Sequence, residues 1–176
     1  MTVVLIAIIV AAAGLFLYVT GRPDAFRVER SASIDAPPEK VFALINDFHN
    51  WPSWSPWDKM DPAMKRTHSG AASGVGAVYA WQGNRKVGEG RMEIIDSSPP
   101  SRVAIKLDFL KPFEAHNTAD FSLRPAGGGT SVTWAMFGPA SFMTKAMGVF
   151  MSMDKMVGKD FEQGLANMKA AAEGKS

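Results

Sequence analysis

Ser33 to Asp61 reads S-I-D-A-P-P-E-K-V-F-A-L-I-N-D-F-H-N-W-P-S-W-S-P-W-D-K-M-D, and this stretch decides how the rest of the chain is organised. It opens on the end of an alternating strand, turns at Asp35-Ala36-Pro37-Pro38, and enters a short apolar helix carrying Val41, Phe42, Leu44 and Ile45. Proline suits the first turn of a helix because its missing N–H would be unpaired there anyway. Trp51, Trp54 and Trp57 then fall at intervals of three around Pro52 and Pro56. Residues before proline are pushed toward extended conformations, so the helix cannot continue. The result is a rigid aromatic corner holding three of the chain's five tryptophans. Such a corner either caps a hydrophobic core or forms the mouth of an apolar pocket.

Downstream, short alternating segments succeed one another. Gly74 to Trp81 ends at a Gln82-Gly83-Asn84 hairpin signal, and Lys86 to Asp96 places Met92 and Ile94 opposite Glu89, Arg91 and Glu93. Arg102 to Phe109 sets Val103, Ile105, Leu107 and Phe109 on one face, Glu114 to Arg124 sets Ala119, Phe121 and Leu123 inward, and Thr130 to Phe137 sets Val132, Trp134 and Met136 against Ser131, Thr133 and Ala135. Consecutive hairpins of this kind predict an antiparallel sheet with one face covered. Upstream, Val28, Ala32 and Ile34 share one parity, and Arg30 breaks it, either as a bulge or as an inward charge with a partner. Gly138-Pro139 stops the sheet. A helical region then runs to about Ala172, its stripe including Met143, Met147, Phe150, Val157, Phe161, Leu165 and Met168, with Gly158 a candidate break between two helices. The fold class is α+β, with the long helix laid across the concave face of the sheet.

Val3 to Val19 contains no charged or strongly polar residue, near the lower limit of about 17 to 25 residues for a bilayer span. The first charge is Arg22, so the basic start of a secretory signal is missing, and Arg22, Arg27 and Arg30 all follow the span. The positive-inside tendency puts the following domain on the cytoplasmic side, as a single-pass membrane protein. The expected division is a transmembrane anchor at 1–21, a linker at 22–26, one domain at 27–172 and a tail at 173–176. A net charge of +2 with scattered Lys and Arg asks for no nucleic acid, and zero cysteines exclude disulfides and thiolate chemistry. His49, His68 and His116 have no metal spacing, and no cofactor is expected.

The order of elements, together with I-D-A-P-P-E-K-V-F at Ile34 to Phe42, W-P-S-W-S-P-W at Trp51 to Trp57, V-G-E-G-R-M at Val87 to Met92, K-P-F at Lys111 to Phe113, T-S-V-T-W at Thr130 to Trp134 and G-K-D-F-E-Q-G-L at Gly158 to Leu165, resembles the START-like (SRPBCC) superfamily. Within it, the chain is similar to the polyketide cyclase/dehydrase branch, whose members are often small bacterial proteins with an N-terminal membrane helix. The resemblance implies a helix-grip fold and a hydrophobic ligand or lipid, with no shared catalytic triad.

The candidate cavity lining is Trp54, Trp57, Trp81, Met92, Leu107, Phe109, Phe121, Trp134 and Met136 from the corner and sheet, facing Met143, Met147, Phe150 and Met151. Methionine is unbranched and adaptable, which suits irregular apolar ligands. Trp54 and Trp57, on a turn-rich corner, are expected at the cavity wall, and Trp134, in mid-strand, in packed core. Three functions remain open. The first is a membrane-tethered binder of a hydrophobic small molecule or lipid. The second is a cyclase- or dehydratase-type enzyme, with Arg30, Tyr79 and His116 as first candidates. The third is a ligand-free interaction module. An open cavity of several hundred cubic ångströms favours the first two, and a closed core the third.

Overall fold

The alternating segments form one antiparallel sheet of seven strands: β1 (Ala25–Ile34), β2 (Lys65–Gly70), β3 (Ala77–Gln82), β4 (Glu89–Ser98), β5 (Arg102–Lys111), β6 (Ala115–Ala126) and β7 (Gly129–Pro139). Their order is β1-β7-β6-β5-β4-β3-β2. The helices are α1 (Thr2–Thr20), α2 (Pro38–Asn46), α3 (Pro56–Met60), α4 (Phe142–Phe150) and α5 (Met153–Glu173), with a 3-10 turn at Phe48–Ser53 between α2 and α3. The computed structural model describes residues 2–150 and 152–174; Met151 and the side chains of Met143, Met147 and Phe150 lie outside the described residues. This is the helix-grip arrangement, a curved sheet closed by α5.

Four elements differ from the sequence reading. β2 was not expected, because K-R-T-H-S-G holds no apolar residue to alternate; it is an edge strand bonded only to β3 and exposed along most of its length. β3 starts at Ala77 rather than Gly74, since Gly74 and Gly76 adopt φ of 70° and 86° to make the preceding turn. The helical region breaks near Ser152, whose Oγ accepts the Lys155 N–H and caps α5, and not at Gly158, which lies buried within α5. β1 also begins at Ala25, inside the stretch read as linker.

Gly158 and Arg30 explain each other. The register of β1 on β7 is unbroken from Ala25↔Pro139 to Ile34↔Thr130, so Arg30 is no bulge. Its guanidinium crosses to α5, bonding Asp154 Oδ1 at 2.7 Å and Glu162 Oε1 at 2.7 Å. A Cβ at position 158 would stand 2.3 Å from Arg30 Nη2. The strand and helix approach closely here because glycine leaves room for the charge. Further along, Lys169 Nζ donates to Ser33 O and the Asp35 N–H to Glu173 Oε1, so α5 runs in the same direction as β1.

The space under α5 has two halves. Toward the end of β1 and the C-terminus of α5, Val41, Ile45, Ile94, Val103, Ile105, Val132 and Met168 are fully buried in one hydrophobic cluster. Toward the start of β1 and the N-terminus of α5, the packing opens.

Candidate functional site

The aromatic corner is built on the end of α2. A helix leaves its last four carbonyls without intrahelical partners. Here all four are met: Asn50 Nδ2 donates to Ala43 O, Trp54 Nε1 to Leu44 O at 2.9 Å, Trp51 Nε1 to Ile45 O at 3.0 Å, and the Gly74 N–H to Asn46 O. The W-P-S-W spacing therefore turns two indoles back onto the helix that precedes them. Trp54 is wholly buried, with ring contacts to Trp51, Phe121 and Trp134 at 4.6, 6.1 and 5.6 Å. It is core, which corrects the expectation of a wall position. Phe121, equally buried, stacks behind Trp134 at 4.9 Å and likewise does not reach the cavity.

The open half encloses a cavity of about 190 Å³. The structure brings Trp57, Trp81, Met92, Leu107, Phe109, Trp134 and Met136 of the expected lining around it. Trp134 is thus at the wall as well as in tight contact, its ring parallel to Phe161 at 4.1 Å. Met143, Met147, Phe150 and Met151 were expected to close the cavity; the side chains of the first three, and Met151 as a whole, lie outside the described residues. Lining that the sequence reading missed includes Trp51, Met64, Val87 and Ala119, along with Val157 and Phe161, which the helical stripe already carried without their being assigned to a cavity. Ala119 lies on the inward parity of β6 between Ile105 and Met136, and its small size is what leaves the floor hollow. Trp81 lies flat over Gly90 of the neighbouring strand, where a Cβ would stand 2.4 Å from the ring. That close approach is why β4 needs glycine at this point.

Four polar side chains line the cavity: Ser55, Asp58, Tyr79 and Lys86. Asp58 is committed to Arg66, whose Nε donates to its Oδ1 at 2.6 Å, while Arg66 Nη1 donates to Met64 O and Nη2 to Asp58 O. Tyr79 Oη has no hydrogen-bond partner of good geometry among the described residues although the residue is 4% exposed, and the nearby Arg66 guanidinium only partly opposes the rise of its pKa. Burial, reinforced by the Asp58 carboxylate, pushes its pKa up to about 12. Tyr79 is therefore a neutral O–H donor across the physiological range. Trp134 Nε1 is the second buried orphan. The other three buried indoles all donate, Trp81 Nε1 going to Val87 O at 3.0 Å. Buried polar groups are paired in the great majority of cases, and an unpaired one costs about 1–3 kcal/mol. Both exceptions among the described residues belong to side chains that line one cavity.

The remaining reaction candidates lie elsewhere. Arg30 is tied to α5 outside the cavity, and His116 is an exposed residue of β6 bonded through Nδ1 to Asp108 Oδ1 at 2.7 Å. His49 and His68 stack at 4.2 Å on the surface, and no metal-holding cluster of His, Cys, Asp and Glu occurs among the described residues.

Comparison with known proteins gives the same architecture. A family model described as polyketide cyclase/dehydrase and lipid transport matches residues 25–173. Among solved structures, a protein from Mesorhizobium loti aligns at 18% identity over 86% of this chain and 99% of its own, with a TM-score of 0.61. The di-domain ARO/CYC BexL from the BE-7585A biosynthetic pathway aligns at 15% identity over 89% of this chain and 52% of its own, TM-score 0.60. The Aha1 dimer from Colwellia psychrerythraea aligns at 15% over 86% and 98%, TM-score 0.58. Likeness at these identities establishes the fold. A search of curated sequences finds no match.

Proposed function

The chain belongs to the polyketide cyclase/dehydrase and lipid transport family, and on that premise we propose that it binds an apolar molecule bearing a hydrogen-bond acceptor in the cavity between sheet and α5. The observation that carries this reading is the coincidence of an apolar cavity with two orphan donors, Tyr79 Oη and Trp134 Nε1. Two donors without partners favour a ketone, ester or ether oxygen over a purely hydrocarbon surface. The volume of about 190 Å³ is below the roughly 300–1,000 Å³ of drug-sized pockets. It suits a one- or two-ring compound or the end of a longer molecule, in the range of the ~150 Å³ engineered cavity that takes up benzene.

The test pairs an aryl ketone with the alkylarene of the same shape, titrated into the purified full chain. The ketone is expected to bind about tenfold more tightly, the worth of one good hydrogen bond. Tyr79→Phe should remove most of that preference while leaving hydrocarbon binding. Binding of neither probe would refute the reading.

A cyclase-type activity is the second reading, favoured by one observation: Tyr79 is held neutral inside the cavity and can donate to a carbonyl oxygen as charge develops there. BexL, similar in fold, is an ARO/CYC protein. Turnover of a poly-carbonyl substrate that survives Tyr79→Phe unchanged would remove this version.

α1 is apolar throughout, exposed except at Val19, and long enough to cross a membrane. We take it as a single-pass anchor holding the domain on the cytoplasmic face, the side favoured by Arg22, Arg27 and Arg30. Protease protection of the C-terminal domain in inside-out vesicles would contradict that orientation.

A further inference from the structure

All strand ends nearest the anchor form one rim. Register places the start of β1 beside the end of β7, Phe109 beside Ala115, Lys111 beside Glu89 and Gln82 beside both Glu89 and Lys65, so the β3–β4 loop and the β5–β6 turn stand at the end where α1 enters. The cavity lies in this half of the molecule. Lys86 of the β3–β4 loop is at once exposed and part of the lining, which marks the opening.

Only Gly21 to Asp24 separate the last residue of α1 from β1. Four residues span at most about 14 Å fully extended. The connection is also braced: Arg22 Nη1 donates to Lys145 O of α4, Lys145 Nζ pairs with Asp24, and Phe16 of α1 meets Phe142 of α4 at 5.8 Å. The rim cannot lie far from wherever the apolar helix is embedded.

The rim is also built of the right residues. Outside α1, the exposed large apolar side chains among the described residues are Met60, Val75, Ile95, Leu110, Phe113 and Phe142, and four of these six are at this end. Met60 is placed there by its neighbour Asp61, whose Oδ2 accepts the Asn84 N–H of the β3–β4 loop. The nearby acids are engaged: Glu89 with Lys111, Asp24 with Lys145, Glu114 with His116. Arg85 and Lys86 of the same loop are exposed and form no ion pair among the described residues. Exposed aromatic and aliphatic side chains flanked by unpaired cations fit the interface of an anionic bilayer.

We propose that the domain docks rim-down on the membrane that holds α1, with Leu110 and Phe113 seated in the interfacial layer and Arg85 and Lys86 on anionic headgroups, so that the cavity opens onto lipid rather than water. Ligand then exchanges with the bilayer directly, and an apolar molecule need never cross the aqueous phase. This rests on the anchor reading of α1, and the experiment separates the two.

The chain has no cysteine, so Leu110→Cys, Phe113→Cys and, at the opposite end of the sheet, Val75→Cys give single sites for an environment-sensitive fluorophore in the full chain. The probes are phosphatidylcholine vesicles with and without phosphatidylglycerol. Expected is a blue shift and quenching by brominated lipid at positions 110 and 113 in anionic vesicles, an aqueous spectrum at 75, and partial loss of the shift on combining Arg85→Glu with Lys86→Glu. A chain that fails to float with vesicles removes the anchor and the proposal together. A chain that floats while 110 and 113 stay aqueous overturns the docking alone. A shift that needs no vesicles and accompanies a doubled mass assigns the rim to a second copy and overturns it too.

Discussion

Ala119→Leu tests whether the space under α5 is hollow. Ala119 is 4% exposed on the cavity floor, flanked by Ile105 and Met136. Leucine adds three carbon atoms, and at about 0.8 kcal/mol per buried methylene the gain approaches about 2.4 kcal/mol. Fixing the new rotamer takes back about 0.5–1 kcal/mol. A cavity of about 190 Å³ can hold the added atoms, so net stabilisation of about 1–2 kcal/mol is expected, together with loss of probe binding. The control is Ala172→Leu, in the closely packed half where the residue is 1% exposed, which should cost about 1–3 kcal/mol through overpacking. Urea unfolding of both variants, checked for an unchanged m-value, reads the two signs. Equal destabilisation at 119 and 172 would refute the cavity and return the ligand-free reading.

Trp54→Ala should lose about 3–5 kcal/mol, as for other buried aromatics, and uncap α2 as well; Trp57→Ala, on a half-buried residue, should lose less and instead weaken ligand binding, and the reverse order by thermal melting would undo the division between core and wall. Gly90→Ala should cost about 1–3 kcal/mol, because its Cβ meets both the Trp81 ring and, at 2.6 Å, the Asp108 carbonyl oxygen; a neutral result would mean that Trp81 moves freely. The His116–Asp108 pair gives a pH signature. The hydrogen bond to Asp108 raises the His116 pKa, so its contribution is full below the ordinary histidine value of 6.5 and fades as pH rises through the raised one. At Asp108 burial pushes upward but is outweighed by hydrogen bonds from His116 and Lys106, so its lowered carboxyl contributes above the ordinary 3.8 and fades as pH falls through the lowered value. The pair is complete between those limits. An NMR titration should find His116 above its usual value and Asp108→Asn should lower it toward that value, with Glu114 holding part of the rise; an unshifted His116 would break the link.

Strand and helix content was legible wherever packing imposes a period. β5 to β7 and α5 each bury one face, and their apolar residues alternate or recur accordingly. β2 escaped because an edge strand buries nothing, so K-R-T-H-S-G carries no period to read. The tryptophan corner was visible as a motif, but its division between core and cavity was not. Whether Trp54 is wall or core depends on which carbonyl its Nε1 reaches, and Leu44 O is ten residues away in sequence. The same holds for the orphan donors: Trp134 looks like any mid-strand tryptophan until the surrounding atoms are placed. Arg30 was flagged as an anomaly from parity alone, and its resolution required Asp154 and Glu162 from an element more than a hundred residues on.

The indole N–H resonances of ¹⁵N-labelled protein test the central claim most directly. Trp51, Trp54 and Trp81 already donate to backbone carbonyls, while Trp134 has no acceptor among the described residues. On titration with an aryl ketone, the account predicts that the Trp134 resonance moves downfield and saturates while those three hold their hydrogen-bonded positions, and that the matched alkylarene leaves Trp134 Nε1–H without that shift. A Trp134 signal unmoved by the saturating ketone, or already at a hydrogen-bonded position in the free protein, would contradict it.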